Sequence, residues 1–323
     1  MKYNTTNTPL LFLSSVICSF LLVLFSHNAR ASELYFIDAH SQVDHKVTNL
    51  ELIIQRMADE GVYRTILAAR SGRTPEEITT FAKVHSDRII PAVRTKSGAY
   101  NKNKPKYYKK LSKQVASGQF KAMAEVLMYH AQKGNKAPEV IVYPDDKRVQ
   151  AALNAAIEKG WPFVIHIEFL SLKGEKRQRF MAGMEKMLKA HPDHPFALNH
   201  LGQLHAAEVR RLITNHRNIY FLTSHTTPVI IQSSNEPWVN MFQGKVIAPE
   251  WKDLLSQYPD RFIFALDNVW ENHWTKFYRD QMRYWRRAMD DLPPDVAHAI
   301  AHGNAERLWK ISPKPGTAVP NYP

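Results

Sequence analysis

Cysteine is almost absent: of 323 residues only Cys18 is one. It lies within an apolar run, Leu10 to Phe25, which follows Lys2 and precedes the small-x-small triplet Ala29-Arg30-Ala31. This pattern predicts a cleaved export signal over residues 1–31, a chain continuing from Ser32, and a periplasmic or secreted destination. An uncleaved anchor is the alternative, but the run is short for a span of about 20 residues and is interrupted by Ser14, Ser15 and Ser19. Past residue 31 the lack of cysteine excludes disulfides, thiolate metal ligands and cysteine nucleophiles together. Any metal would have to be held by His, Asp or Glu.

Glycine is also scarce, at 12 residues, and two glycine motifs are missing. No Gly-x-Gly-x-x-Gly follows the first predicted strand, where the turn reads Asp38-Ala39-His40-Ser41-Gln42, so a dinucleotide-binding open sheet is disfavoured. No Gly-x-Ser-x-Gly occurs, which removes the nucleophile elbow of serine hydrolases. No Gly/Ser-rich linker divides residues 32–323, which read as one domain. The formal charge is +13. An excess of that sign in an exported chain suits anionic envelope surfaces or acidic small molecules, and with no recognition motif beside it a nucleic-acid partner is not expected. The lysines between Lys102 and Lys113 read as a solvated helix face.

Short apolar runs alternate with helical patterns. Eight strands are predicted: Leu34–Ala39, Tyr63–Ala68, Ile89–Arg94, Ala122–Leu127, Pro162–Ile167, Phe196–His200, Ile219–Thr223 and Phe262–Asp267. Between them fall helical stretches such as Leu50–Glu60, Pro75–His85, Lys147–Lys159, Arg177–Ala190, Ala206–Asn215 and Pro249–Tyr258. Eight such units predict a closed (β/α)8 TIM barrel, with extra C-terminal helices over Trp274–Asp291 and Val296–Trp309. Long loops are expected after the third strand (Thr95–Lys106) and the seventh (Ser224–Ala248), the latter rich enough in aromatics to cover a pocket.

Polar residues gather at the C-terminal ends of these strands: Asp38, His40 and Gln42 on the first, Glu125 on the fourth, His166 and Glu168 on the fifth, His200 on the sixth, Ser224 and His225 on the seventh, Asp267 on the eighth. In a barrel those ends converge on one mouth. Imidazoles and carboxylates together suit a divalent cation, with zinc first and manganese or iron as alternatives. A Ser224–His225 nucleophile pair is disfavoured, since neighbours on a strand point to opposite faces.

The segments Phe36-Ile37-Asp38-Ala39-His40-Ser41-Gln42, Trp161-Pro162-Phe163-Val164-Ile165-His166, Leu198-Asn199-His200-Leu201-Gly202 and Ile263-Phe264-Ala265-Leu266-Asp267-Asn268 resemble the first, fifth, sixth and eighth strands of the amidohydrolase superfamily. The tail His302-Gly303-Asn304-Ala305-Glu306-Arg307-Leu308 resembles the closing segment of its amidohydrolase-related branch, which includes carboxymuconate-semialdehyde decarboxylases. The resemblance implies a metal-dependent enzyme in which His40, His166 and Asp267 are ligands and His200 is a further ligand or an acid/base. It departs from the His-x-His pattern of the first strand, since Gln42 stands in the second place and coordinates zinc more weakly than an imidazole. Glu125 sits where two-metal members place a bridging residue; it could equally be a buried carboxylate neutralised by a cation.

On this reading a metal-activated water attacks an amide, ester or lactone of a small molecule, Asp267 accepts its proton, and His200 stabilises the oxyanion or donates a proton. Arg70 and Arg94 close the second and third strands, where they could grip an anionic substrate or neutralise Glu125 or Asp38. Two alternatives remain open: a non-hydrolytic decarboxylase or hydratase, and a barrel that has lost its metal and serves as a binding protein.

Overall fold

Eight parallel strands, each ending in a turn that carries polar side chains, surround an interior of small and branched residues in the computed structural model, which describes residues 1–3, 34–132 and 138–317. Residues 4–31 of the expected export signal lie outside the described residues. The strands are β1 (Phe36–Val43), β2 (Val62–Ala69), β3 (Ile89–Val93), β4 (Ala122–Met123, resuming as Val126–His130), β5 (Phe163–Ile167), β6 (Phe196–Leu198), β7 (Ile219–Leu222) and β8 (Phe262–Ile263). The described residues from Leu34 onward form one compact unit, and the architecture is the predicted TIM barrel.

Alternation along the strands separates two apolar layers. Ile37, Ala39, Ile66, Ala68, Ala92, Ala122, Val164, Ala197 and Ile263 fill the barrel interior. Phe36, Leu67, Ala69, Val93, Phe163, Ile165, Phe196 and Leu198 face the surrounding helices. Fully burying one such Leu or Phe side chain contributes roughly 1.5–3 kcal/mol. The helices start on local signals: Pro75–Val84 opens on a capping box between Thr74 and Glu77, and Lys147–Lys159 opens on Asp146 and stops at Gly160, whose φ is 64°. In Pro105–Ala116 the lysines point to solvent while Tyr107, Leu111 and Val115 face the core, as expected of a solvated face.

The ring is joined at two irregular places. Strand β4 breaks at Ala124 and Glu125, where Ala124 N donates to Val93 O at 3.0 Å and the Thr95 hydroxyl donates to the Glu125 carbonyl. Strand β8 is shorter than predicted because residues beyond Ile263 pair irregularly with β1: Ala39 N donates to Phe264 O at 3.1 Å, Asp267 N to His40 O at 2.8 Å and Gln42 N to Asn268 O at 2.7 Å. Asp38 fastens this seam, its carboxylate accepting from Leu266 N at 3.0 Å and Ser41 Oγ at 2.5 Å. Burial pushes the Asp38 carboxyl up to about 7, against these hydrogen bonds.

At the opposite end of the barrel the closing segment does structural work. Asn304 Nδ2 donates to Pro259 O and Phe262 O, both at 2.7 Å, Arg307 donates to Asp260 O at 3.0 Å, and the His302 ring stacks on Tyr35 at 3.9 Å. The two expected long loops are partly ordered. The first holds a helical turn, Gly98–Asn101, and the second holds Pro228–Gln232 and a hairpin of Phe242–Gln243 with Val246–Ile247.

Candidate metal centre

Glu125, fully buried, is the hub of the mouth. Its Oε1 accepts from Gln42 Nε2 at 3.1 Å and ion-pairs with Lys96 Nζ. Its Oε2 accepts from Asn199 Nδ2 at 2.6 Å and meets His166 Nδ1 at 2.6 Å. Burial alone would raise this carboxyl, but the Lys96 ammonium and the His166 ring hold it well below the usual carboxylate range. The positive partner of Glu125 is therefore Lys96, not Arg70 or Arg94.

Asp267 lies between two imidazoles, with Oδ1 3.5 Å from His40 Nε2 and Oδ2 3.2 Å from His200 Nε2. Burial and the Glu125 charge oppose ionisation of Asp267, yet His40 and His200 outweigh them and lower its pKa. His40 is lowered by burial but raised more by Asp267 and Glu125, for a net rise. For His200 burial wins over Asp267, for a net fall.

The His200 tautomer follows from its neighbours. Ser224 Oγ donates to Asn199 Oδ1 at 2.6 Å, so its oxygen is left to accept from His200 Nδ1 at 2.9 Å. His200 Nε2 lies 3.1 Å from Asn199 Nδ2 and 3.2 Å from Asp267 Oδ2, so a neutral ring accepts there from the amide and a protonated ring donates to the carboxylate. That geometry suits a ligand; the donor role expected for His200 would first require it to take up a proton.

The backbone that places His200 is unusual. His200, Leu201, Gly202 and Gln203 have φ of 54°, 53°, 65° and 55°, a left-handed run straight after β6. A Cβ on Gly202 would meet Leu198 Cδ2 at 2.5 Å, inside the core where Leu198 has no room to yield. Gly202→Ala is expected to cost about 1–3 kcal/mol of stability by urea denaturation; a midpoint unchanged from the parent would contradict this packing.

Two groups of ligand atoms share Glu125: His40, Glu125 and Asp267 in one, Glu125, His166 and His200 in the other, each within 4.8 Å of one another. His166, expected to join His40 and Asp267 directly, instead pairs with Glu125 because its Nδ1 is hydrogen-bonded there; its Nε2 faces Glu168 Oε1 at 3.2 Å. Gln42, expected as a weak ligand, turns its amide nitrogen to Glu125 and to Asp267 Oδ1 at 2.9 Å, bridging two carboxylates that would otherwise repel. A divalent cation fits this donor set. His40 Nε2 is buried without a hydrogen-bond partner among the described residues, 3.6 Å from Glu125 Oε1 and 3.5 Å from Asp267 Oδ1. An imidazole nitrogen facing two carboxylates calls for positive charge between them, which a ring proton or a metal cation supplies.

Lys96 and Asn199 were not singled out by pattern reasoning, whereas Trp238 belongs to the loop expected to cover a pocket. Lys96 lies three residues beyond β3 among many lysines, so only its burial, at 8% exposure, distinguishes it. The expectation that Ser224 and His225 face apart fails. The strand ends at Leu222 and His225 has φ of 59°, so Ser224 bonds His200 while the His225 ring stacks on it at 4.4 Å. Trp238, from the long loop, packs on His200 and His225 at 4.8 and 4.7 Å, which makes that loop a cover over the histidines.

Comparison with known proteins agrees with this architecture. No protein of curated function matches the chain in sequence. An uncharacterised TIM-barrel protein from Bordetella bronchiseptica superposes with a TM-score of 0.58 at 14% identity, covering 86% of this chain and 99% of its own. A dihydroxybenzoic acid decarboxylase from Polaromonas, with bound manganese and the inhibitor 2-nitroresorcinol, gives 0.53 at 12% identity, covering 86% and 97%. A probable 2-pyrone-4,6-dicarboxylic acid hydrolase from Acinetobacter baumannii, with citric acid bound, gives 0.51 at 13%, covering 86% and 100%. These similarities speak to the fold. A family model described as amidohydrolase matches residues 109–311, more than half of the chain and including Glu125, His166, His200 and Asp267; the chain belongs to the amidohydrolase-2 family of the amidohydrolase superfamily.

Proposed function

We propose that this protein is a metal-dependent hydrolase that opens an ester, amide or lactone bond of a small anionic molecule, acting after export to the periplasm or beyond. The observation that carries this reading is the Asp267 carboxylate flanked by His40 Nε2 at 3.5 Å and His200 Nε2 at 3.2 Å. His40, Glu125 and Asp267 would hold the cation, zinc or equally the manganese seen in the Polaromonas decarboxylase, with His166 and His200 as the neighbouring donors. Bound there, the cation would supply a Lewis acid that polarises a substrate carbonyl and acidifies water. Asp267, ionised and at the open end of β8, takes the proton of the attacking water and returns it to the leaving group. Trp238 and the loop that carries it restrict bulk water around the histidines.

Anion selectivity rests on Arg70. Its Nε is buried without a hydrogen-bond partner among the described residues, and its charge is felt by both Arg94 and Lys96. Arg94 is already engaged, donating to Lys96 O at 3.0 Å and Arg73 O at 2.8 Å, so it braces the loop that bears Lys96. Arg70→Ala is therefore expected to raise KM for carboxylated substrates by ~10–100-fold with little change in kcat, from the loss of one charge-assisted hydrogen-bonding group. Steady-state kinetics on a charged substrate and its neutral ester check this; equal effects on both would remove Arg70 from anion recognition.

The same cations could hold the carboxylate of an aromatic acid, the second reading, in line with the decarboxylases among the structural relatives. Incubating the metal-loaded protein with carboxylated lactones and esters, and in parallel with hydroxybenzoates, separates the two. Ring-opened or cleaved acids without CO2 support hydrolysis, whereas CO2 release from the aromatic acids overturns it.

A further inference from the structure

All four hydrogen-bonding positions around Glu125 are taken by the protein itself: Lys96 and Gln42 on Oε1, His166 and Asn199 on Oε2. Yet Oε1 is also the oxygen that faces the orphaned His40 Nε2, at 3.6 Å. A cation shared by His40, Glu125 and Asp267 would thus lie against the oxygen that already carries an ammonium. Two cations on one carboxylate oxygen repel strongly in a buried site. Lys96 has a long flexible stem that can move, while its backbone is anchored by Arg94, which donates to the Lys96 carbonyl at 3.0 Å. Glu125 has a shorter stem, and its carboxylate is also held by Gln42, His166 and Asn199.

We propose that Lys96 is a built-in competitor of the metal: its ammonium neutralises Glu125 while no cation is bound, and it must leave Oε1 before a divalent ion can use that oxygen. Lys96 is then a positioning residue that keeps the centre folded without metal and sets its affinity for metal. This rests on the metal-dependent reading above, which the experiment tests separately.

The test is calorimetric titration of chelator-treated protein with Mn²⁺ alone, for the parent, Lys96→Met and Lys96→Arg, with His40→Ala in each background to identify binding at this site. Lys96→Met is expected to bind Mn²⁺ ~10-fold or more tightly than the parent, because one buried positive charge no longer opposes it. Lys96→Arg, which keeps the charge, should bind no tighter than the parent, and His40→Ala should abolish the tight component. Parent and Lys96→Met binding Mn²⁺ equally, or Lys96→Met binding it more weakly, overturns the proposal and leaves the metal-dependent function standing. Absence of stoichiometric Mn²⁺ in every protein overturns both. Should Lys96→Met fail to fold, Lys96→Gln is compared with the parent by thermal melting with and without Mn²⁺: a larger Mn²⁺-induced rise in Tm for Lys96→Gln supports the proposal, and an equal or smaller rise overturns it.

Discussion

Asp267→Asn is expected to lower kcat by ~10²–10⁴-fold on any ester, amide or lactone the protein turns over, the range for losing a positioned proton acceptor. The substitution is nearly isosteric. An Asn oxygen can still accept from Gln42, which reaches Asp267 Oδ1 at 2.9 Å, and its amide nitrogen can donate to the lone pair of His200 Nε2, 3.2 Å from Oδ2. The fold should therefore persist while the charge and the basic oxygen are lost. Measuring single turnovers at saturating metal separates chemistry from weakened metal binding, and an undiminished rate there would remove Asp267 from the reaction.

Glu125→Leu is expected to cost about 3–5 kcal/mol of stability, because it strands the buried Lys96 ammonium without a counter-ion and removes the acceptor of Gln42 and Asn199. The double variant Glu125→Leu/Lys96→Met should regain a large part of that loss, since an apolar pair of similar volume can replace a buried ion pair with little penalty. Urea denaturation of the four proteins in the cycle gives the coupling directly. A loss in the double variant equal to the sum of the two single losses would show that the two side chains do not act as a pair.

The barrel was legible because strand and helix patterns alternate with their own periods, and because Lys147–Lys159 and Ala206–Asn215 carry clear apolar stripes and reach the predicted bounds. The strand-end location of His40, Glu125, His166, His200 and Asp267 was legible for the same reason. What escaped was the backbone beyond the strands. The left-handed residues at His200–Gln203, His225 and Asp267 are set by tertiary packing, and local pattern does not announce them in non-glycine residues. They rotate Ser224 and His225 into the site and pair Asn199 with His200, contrary to simple alternation. Lys96 escaped for another reason: a lysine in a lysine-rich loop reads as solvated until the carboxylate it neutralises is seen above it.

The seam between β1 and the segment after β8 is closed by a few backbone bonds and by Asp38, and the same two segments bring His40 and Asp267 together. Because those groups enter the chain more than two hundred residues apart, no fragment shorter than that separation contains both of them. The pair is thereby incomplete until the last strand docks on the first, and an ion clasped across that join would tie together the two ends of the ring.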